Sequence, residues 1–164
     1  MSEQPSSVSS TADREIVGTR LFDAPRDLVF QMWIDPQHVG KWWGPNGFRI
    51  TTHEMDVRPG GHWRFIMHGP DGTDYKNHVV YIEIARPDRL VYRHEPEPGA
   101  EAVGFETTVT FEDINGKTRL TMRALLPSAK AREFVITKFG AIEGMKQHLG
   151  RLEELLSQLQ KETS

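Results

Sequence analysis

The spacing of apolar residues changes twice along the chain, and each change marks a different kind of element. Residues 14–22 carry an apolar pattern typical of a strand, and residues 25–33 place apolar side chains at steps of three and four, as a helix does. The Asp35-Pro36 pair then favours the start of a second short helix, which runs toward Trp42. We therefore predict one strand followed by two short helices.

From residue 48 onward the pattern is that of strands. Segments rich in β-branched and aromatic residues are separated by turn residues such as Pro, Gly, Asn and Asp. Asn115-Gly116 is the strongest hairpin signal, because both residues accept the positive φ angles of a tight turn. Short connections predict an antiparallel sheet. The predicted strands lie near residues 48–57, 61–69, 74–85, 89–95, 104–114 and 117–126.

Beyond Pro127-Ser128 the helical period returns and predicts one long amphipathic helix. About thirty residues would span roughly 45 Å, enough to cross a sheet. Its apolar stripe needs an apolar partner, and the predicted sheet supplies the only large one. The fold class is therefore α+β, with a curved antiparallel sheet of about seven strands around a long C-terminal α-helix. The stripe consists of Val135, Phe139, Ile142, Met145, Leu149, Leu152, Leu156 and Leu159.

Composition limits the classes of protein that fit. With 164 residues, of which 37% are hydrophobic, one domain over residues 13–161 is expected, after a polar and disordered tail at residues 1–12. The net charge of −3 comes from intermixed acids and bases, so nucleic acid is not an expected partner. The first residues do not have the pattern of a signal peptide, and no stretch is apolar enough to span a membrane. A cytoplasmic location is expected.

Several motifs occur in an order that resembles a known family. The succession of strand, two short helices, six strands and a long helix is similar to the helix-grip fold of the START and polyketide-cyclase-like superfamily. Within it, the chain resembles the family named for the activator of heat-shock protein 90 ATPase. This resemblance implies a cavity between the sheet and the long helix. The motifs are "WIDPQHVGKWWGP" at 33–45, "DVRPGGHWRF" at 56–65, "GPDG" at 69–72, "EIARPDRLVY" at 83–92, "TVTFED" with "GKTRLTM" at 108–122, and "GMKQHLGRLEELL" at 144–156.

Strand alternation predicts which side chains line that cavity. In "HVVYIEIA" we expect His78, Val80, Ile82 and Ile84 to face the helix, because the opposite phase would bury Glu83. The cavity would be mostly apolar with a few polar groups, as small-molecule sites usually are. The alternative is a filled core in which these polar groups satisfy one another. The predicted ligand-binding residues are Trp42, Trp43, Phe65, Met67, His78, Tyr92, His94, Phe105, Thr107, Met122 and Phe139.

Two of these predictions are more detailed. Adjacent helical residues point about 100° apart, so one of Trp42 and Trp43 should anchor its helix while the other lies toward the cavity mouth. The alternative is that both pack the corner between helix and strand. Inward-facing His78 and Tyr92 lie on neighbouring predicted strands, so we also expect their polar tips to meet inside the cavity.

Motifs of common enzymes are not found in the sequence. The seven histidines lack metal-ligand spacing, the nucleophile elbow and phosphate-binding glycine loops are missing, and there is no cysteine. We therefore expect no metal and no cofactor, and the leading hypothesis is non-enzymatic binding of a small hydrophobic or aromatic molecule by a monomer or weak homodimer. One alternative is a polyketide cyclase or aromatase that uses His78, His94 and Tyr92 as acid-base groups.

The family resemblance implies a further alternative, a co-chaperone that acts on a heat-shock chaperone ATPase. The eukaryotic activators resemble this chain only in their C-terminal domain. Their separate N-terminal domain makes much of the chaperone contact, which weakens this alternative for the present sequence.

Overall fold

The computed structural model of the protein describes residues 13–96 and 104–163, so the predicted tail at residues 1–12 lies outside the described residues. All strands belong to one antiparallel sheet, which confirms the predicted α+β class with about seven strands. The strands are β1 (Glu15–Phe22), β2 (Arg49–Met55), β3 (His62–His68), β4 (Asp74–Ala85), β5 (Arg89–Glu95), β6 (Phe105–Ile114) and β7 (Lys117–Leu125). Their order is β1-β7-β6-β5-β4-β3-β2, so the first and last strands of the chain are neighbours.

Two short helices follow β1, as predicted. They are α1 (Arg26–Ile34) and α2 (Pro36–Trp42), and they are separated by Asp35. The carboxylate of Asp35 accepts a hydrogen bond from the backbone N–H of Gln37 and so caps α2 at its start. This cap and the proline at the first turn explain why a new helix begins directly after α1 ends.

The hairpin between β6 and β7 has the predicted turn. Asn115 and Gly116 both have positive φ angles, 53° and 88°, as a two-residue primed turn requires. The register then pairs Ile114 with Lys117 and continues along both strands to the pair of Glu106 with Leu125.

The predicted long C-terminal helix is present, but it is shorter than the expected thirty or so residues. Two helices are present, α3 (Ala129–Phe139) and α4 (Ala141–Thr163), and Gly140 separates them. Gly140 has a φ of 62°, a left-handed conformation in which its N–H caps the carbonyls at the end of α3. On either side of this break, Phe139 and Ile142 are 49% and 41% exposed rather than part of a buried stripe.

The predicted phase of β4 is also wrong over most of the strand. Val79 and Tyr81 are the buried residues, whereas Ile82 is 38% exposed. The register shifts between Tyr81 and Glu83, which makes Ile82 the extra residue of a β-bulge. The bulge lets Tyr81 and Ile84 both pack into the core while Glu83 stays exposed. Our prediction assumed regular alternation and extended the phase of Ile84 back through Val80 to His78.

The sheet packs against α4 and the two short helices. The main core contains Phe22, Trp33, Trp42, Leu120 and Leu152, each with an exposed fraction of 1% or less. In a smaller, second cluster, Val135 of α3 packs with Ile16, Ala124 and Leu126. Over residues 13–96 and 104–163, no helix is long and apolar enough to cross a membrane.

Candidate functional site

A cavity of about 300 Å³ lies between the sheet and the junction of α3 with α4. Its floor comes from β1, β5, β6 and β7, and its wall comes from the loop after α2 and from the first turns of α4. The lining is almost entirely apolar or aromatic. It consists of Ile16, Trp43, Gly44, Pro45, Tyr92, His94, Phe105, Met122, Ala124, Leu126, Val135, Phe139, Ala141, Gly144, Met145 and His148.

Some of the predicted ligand-binding residues line this cavity and others do not. Those that line it are Trp43, Tyr92, His94, Phe105, Met122 and Phe139. Thr107 is fully buried on β6, directly opposite Tyr92 of β5. Phe65 is buried in the main core, where its ring stacks on Trp63 with centroids 3.9 Å apart. Met67 is partly buried against the same core.

The two adjacent tryptophans have different positions. Trp42 is fully buried and its indole N–H donates a hydrogen bond to the carbonyl of Met32 at 3.1 Å, which ties α2 to α1. Trp43 lines the cavity and packs edge-on against Trp63, with ring centroids 4.8 Å apart. The placement thus agrees with the predicted division between an anchor and a residue beside the cavity. That Trp43 contacts a ligand stays a prediction.

His78 lies on the other face of the sheet, so the prediction that it points into the cavity with Tyr92 is wrong. It pairs with Glu95 across β4 and β5, and its Nε2 lies 2.6 Å from Nδ1 of His62. The residue opposite Tyr92 is Tyr81, because the β4 phase is set by the bulge. The inward polar groups of β5 are therefore Tyr92 and His94 without His78.

His148 is a buried residue of the cavity wall that our sequence analysis did not include. It is 6% exposed, and its ring packs against those of Trp42 and Trp43 with centroids 4.7 Å away from each. Its Nδ1 accepts a hydrogen bond from the backbone N–H of Gly44 at 3.0 Å. The signal was present, since His148 lies three residues after Met145 and four before Leu152, within the apolar stripe.

The loop of residues 43–48 is held against α4 mainly through its backbone. The guanidinium of Arg151 donates hydrogen bonds to the carbonyls of Trp43, Gly44 and Pro45 at 2.9–3.1 Å, and also to that of Phe48 at 3.2 Å. Two neighbouring side chains of α4 accept from the loop: His148 from Gly44, as above, and Gln147 from the N–H of Asn46 at 3.0 Å. Because this loop carries Gly44 and Pro45, these contacts fix one wall of the cavity.

The polar groups of the cavity are uncharged at neutral pH. Burial lowers the pKa of His94 to about 4, and burial, with smaller effects of Arg151 and His94, lowers the pKa of His148 to about 3. Burial also raises the pKa of Tyr92 above its usual range. Within the described part of the chain, Nδ1 of His94 and Nε2 of His148 have no hydrogen-bond partner and almost no accessible surface.

The described lining is apolar or aromatic with a few polar groups. Among the described residues, no Asp, Glu, Lys or Arg lines the cavity, and no group of three or more His, Asp or Glu side chains could hold a metal ion. What the cavity offers is a mostly apolar surface. Buried polar atoms of folded proteins are usually paired, so unpaired ones around a cavity call for an explanation.

Comparison with known proteins gives a family match over most of the chain. The model of the family described as Activator of Hsp90 ATPase homolog 1-like protein matches residues 23–157, a range that includes every element from α1 to most of α4. No curated protein matches the chain.

Solved structures of bacterial proteins have the same fold. A protein from Arthrobacter aurescens, solved by NMR, is 27% identical with a TM-score of 0.82, over 90% of this chain and 88% of that one. A crystal structure from Mycobacterium smegmatis is 27% identical with a TM-score of 0.78, over 89% of this chain and 92% of the other. A protein from Nitrosomonas europaea reaches a TM-score of 0.81 at 24% identity, over 92% and 98% of the two chains. At that identity the last match bears on the fold alone.

Proposed function

The chain belongs to the family of Activator of Hsp90 ATPase homolog 1-like proteins, and we propose that it binds a small hydrophobic or aromatic molecule in the cavity between the sheet and α4. The observation that carries this proposal is a mostly apolar cavity of about 300 Å³ with Tyr92, His94 and His148 among its lining residues. Binding pockets of small molecules are typically about 300–1,000 Å³ and have this composition, so a compact guest is favoured.

The alternative of a filled core agrees less well with this geometry. A filled core would leave no space of this size, and its buried polar groups would be paired with one another. Here the ring of His94 stacks on Phe105 with centroids 4.5 Å apart, and no described residue pairs with its Nδ1. The open volume beside these residues is large enough for a compact guest, which supports occupancy.

Native mass spectrometry of the protein incubated with aromatic ketones, flavonoids and fatty acids would test the proposal. The decisive variant is Gly144→Leu, because a leucine at this lining position on α4 would fill part of the cavity. Gly150→Leu is the matched control, since it makes the same change on the same helix outside the cavity lining. We expect bound complexes for the parent and Gly150→Leu and their loss in Gly144→Leu. Equal binding by all three would place any ligand elsewhere and contradict the proposal.

The same measurement separates a binder from an enzyme. A poly-β-ketone mimic that is released unchanged supports binding alone. A mass loss of one water per ring closed would instead support the cyclase alternative, with Tyr92 and His94 as the acid-base groups nearest to the guest.

A co-chaperone role is the second candidate, because the family description names an activator of the Hsp90 ATPase. An ATPase assay of the cognate chaperone with and without the protein tests it directly. If the rate rises equally with the parent and with Gly144→Leu, the chaperone contact is independent of the cavity. An unchanged rate in both cases would leave ligand binding as the function.

A further inference from the structure

The outer face of the sheet carries a chain of hydrogen-bonded side chains formed by Thr51, His68 and Asp74. We propose that this chain is a second site, in which Thr51 is an activated nucleophile that accepts the acyl group of a small carboxylic ester. None of the three residues lines the cavity. The proposal is therefore independent of ligand binding between the sheet and α4.

The strand register brings the three residues to one face of the sheet. His68 of β3 lies directly opposite Asp74 of β4, and Thr51 of β2 pairs with Ile66, two residues before His68. Phe65 is buried in the core, so Ile66 and His68, which have the opposite phase on the same strand, face outward. The site is thus built on three adjacent strands and not on a loop.

The hydrogen bonds of His68 have one consistent direction. An ionised carboxylate only accepts, so Nδ1–H of His68 donates to Oδ1 of Asp74 at 2.8 Å. In the neutral imidazole the other nitrogen is then the acceptor, and the hydroxyl of Thr51 donates to Nε2 at 2.7 Å. A hydroxyl directed at a base, which a third group orients, is the arrangement that activates a serine or threonine nucleophile.

The three side chains are accessible from solvent. Thr51 is an exposed residue of β2, which is an edge strand of the sheet. The side chain of His68 is 21% exposed and that of Asp74 is 58% exposed. A small ester in solution can therefore approach the hydroxyl of Thr51 without opening the fold.

The edge strand also offers groups that stabilise negative charge on an attacked carbonyl oxygen. Among the described residues, β3 is the only strand that pairs with β2. Alternate N–H groups of an antiparallel strand point away from its partner, so an N–H at Thr51 or at its immediate neighbours faces the free edge. Arg49 lies directly opposite His68 on the same face and adds a positive charge. Such donors and charges favour the transition state of acyl transfer.

The proposed reaction has two steps. In the first, Oγ1 of Thr51 bonds to the acyl carbon while Nε2 of His68 takes the hydroxyl proton, and the ester C–O bond breaks as this proton passes to the leaving oxygen. In the second, water attacks the acyl-threonine with His68 as the base, which releases the carboxylic acid and restores the hydroxyl. Asp74 is a positioning residue that holds the required tautomer of His68.

The probe for this activity is 4-nitrophenyl acetate. Release of nitrophenol would be followed by absorbance, and peptide mass spectrometry would locate any acetyl group. The test variants are Thr51→Val and His68→Gln. Their matched controls are Thr19→Val, an exposed threonine of the opposite edge strand β1 whose hydroxyl lies near that of Thr121, and His53→Gln, an exposed histidine of β2.

We expect the parent to release nitrophenol at least about tenfold faster than Thr51→Val and His68→Gln, since a positioned general base typically contributes about 10²–10⁴-fold and this one is open to water. Both controls should match the parent, and the acetyl group should be found on Thr51. A parent rate retained in Thr51→Val would mean that a surface imidazole acts alone, and it would overturn the proposal. Acetylation confined to lysines would overturn it as well.

Nitrogen NMR tests the positioning role of Asp74. The parent should show the proton of neutral His68 on Nδ1. In Asp74→Asn the proton should move to Nε2, and nitrophenol release should fall at least about threefold, because the base then has the wrong tautomer. Circular dichroism should show that this exposed substitution leaves the fold intact. The same tautomer and the same rate in both proteins would contradict a triad.

Discussion

The two halves of α4 face the same sheet but produce different environments. The first turns present Ala141 and Gly144, together with the partly polar His148, and a cavity lies beneath them. The later turns present Leu152 and Leu156, which are 0% and 3% exposed, and the space beneath them is filled. Small residues contribute to the open region from both sides, Ala141 and Gly144 from the helix and Ala124 from the sheet.

This contrast shows how one fold can contain both a rigid core and a binding site. Leucines at steps of three and four fill the grooves between strands, which gives the dense packing of ordinary interiors. In the first turns of α4, Ala141 and Gly144 carry no large side chain, and the space beside them stays open. We call the turns with Leu152 and Leu156 the filled half of α4, and the turns from Ala141 to His148 its open half. The filled half contributes to the stability of the fold, and the open half is available for a guest.

The largest expected effect belongs to a charge placed in the filled half. Leu152→Asp would bury an unpaired carboxylate, which costs several kcal/mol against a total stability of about 5–15 kcal/mol, so loss of the cooperative thermal transition is expected in circular dichroism. Ser157→Asp, an exposed change on the same helix, is the control and should melt like the parent. If Leu152→Asp melted within a few degrees of the parent, the later turns of α4 would not be packed as described.

The adjacent residues Trp42 and Trp43 allow a comparison between a packed core position and a position beside the cavity. Trp42→Ala removes a fully buried ring and its hydrogen bond, and we expect a loss of about 3–5 kcal/mol in urea unfolding. Trp43→Ala should lose less, because its ring lines the cavity, but it should weaken the binding of an aromatic ketone. Equal destabilisation by both changes, with unaltered affinity, would mean that both rings only pack the corner.

The free energy of unfolding should fall on acidification because the buried His148, in the first turns of α4, gains a proton when the chain unfolds. The pKa of His148 is lowered by burial from 6.5 to about 3, so between these values the unfolded chain binds more protons than the folded protein. The free energy of unfolding therefore rises with pH in this window and levels off above about 6.5, with a slope of up to about 1.4 kcal/mol per pH unit for one proton. His148→Gln should reduce the slope, whereas His53→Gln, at an exposed position on β2, should not. Identical slopes in all three proteins would contradict a buried neutral His148.

The smallest effect is expected from adding one methyl group to each half. A Cβ on Gly144 would lie 3.8 Å from Pro45, an ordinary contact, so Gly144→Ala should gain about 0.5–1 kcal/mol from helix propensity. A Cβ on Gly150 would lie 3.2 Å from the guanidinium of Arg20, which must shift, so Gly150→Ala should gain less. Thermal unfolding checks both variants. A destabilised Gly144→Ala would indicate that the open half is more tightly packed than the cavity implies.

Most elements could be predicted because their signals are local. The primed turn at Asn115-Gly116 and the caps around Asp35 depend on neighbouring residues alone, so sequence is enough. The break at Gly140 was missed because a glycine within a helical pattern is compatible with continuation and with termination. The apolar stripe continues on both sides of Gly140, which favoured continuation.

The errors at the candidate site have a different origin. The bulge at Ile82 depends on how β4 registers with β5, and a register is a relation between two distant segments. One inserted residue then moved His78 to the outer face while Ile84 kept its predicted side. His148 was missed because what marks it is its hydrogen bond with the Gly44 amide, which lies 104 positions away in the chain. Spacing identified the helix face on which His148 lies but not what that face meets.

The attachment of Arg151 has a consequence for how the cavity could diversify among related proteins. Among the described residues, every acceptor of its guanidinium is a main-chain carbonyl: those of Trp43, Gly44, Pro45 and Phe48 in the loop, and that of Lys41 at the end of α2. These hydrogen bonds do not depend on the side chains of the loop, so substitutions at Pro45 or Asn46 would leave them intact. The loop can therefore change its chemical character at the cavity wall through few mutations while keeping its path. A loop that stays anchored through its backbone, while its side chains vary, lets one fold bind new ligands. Directed evolution of this protein could use that property.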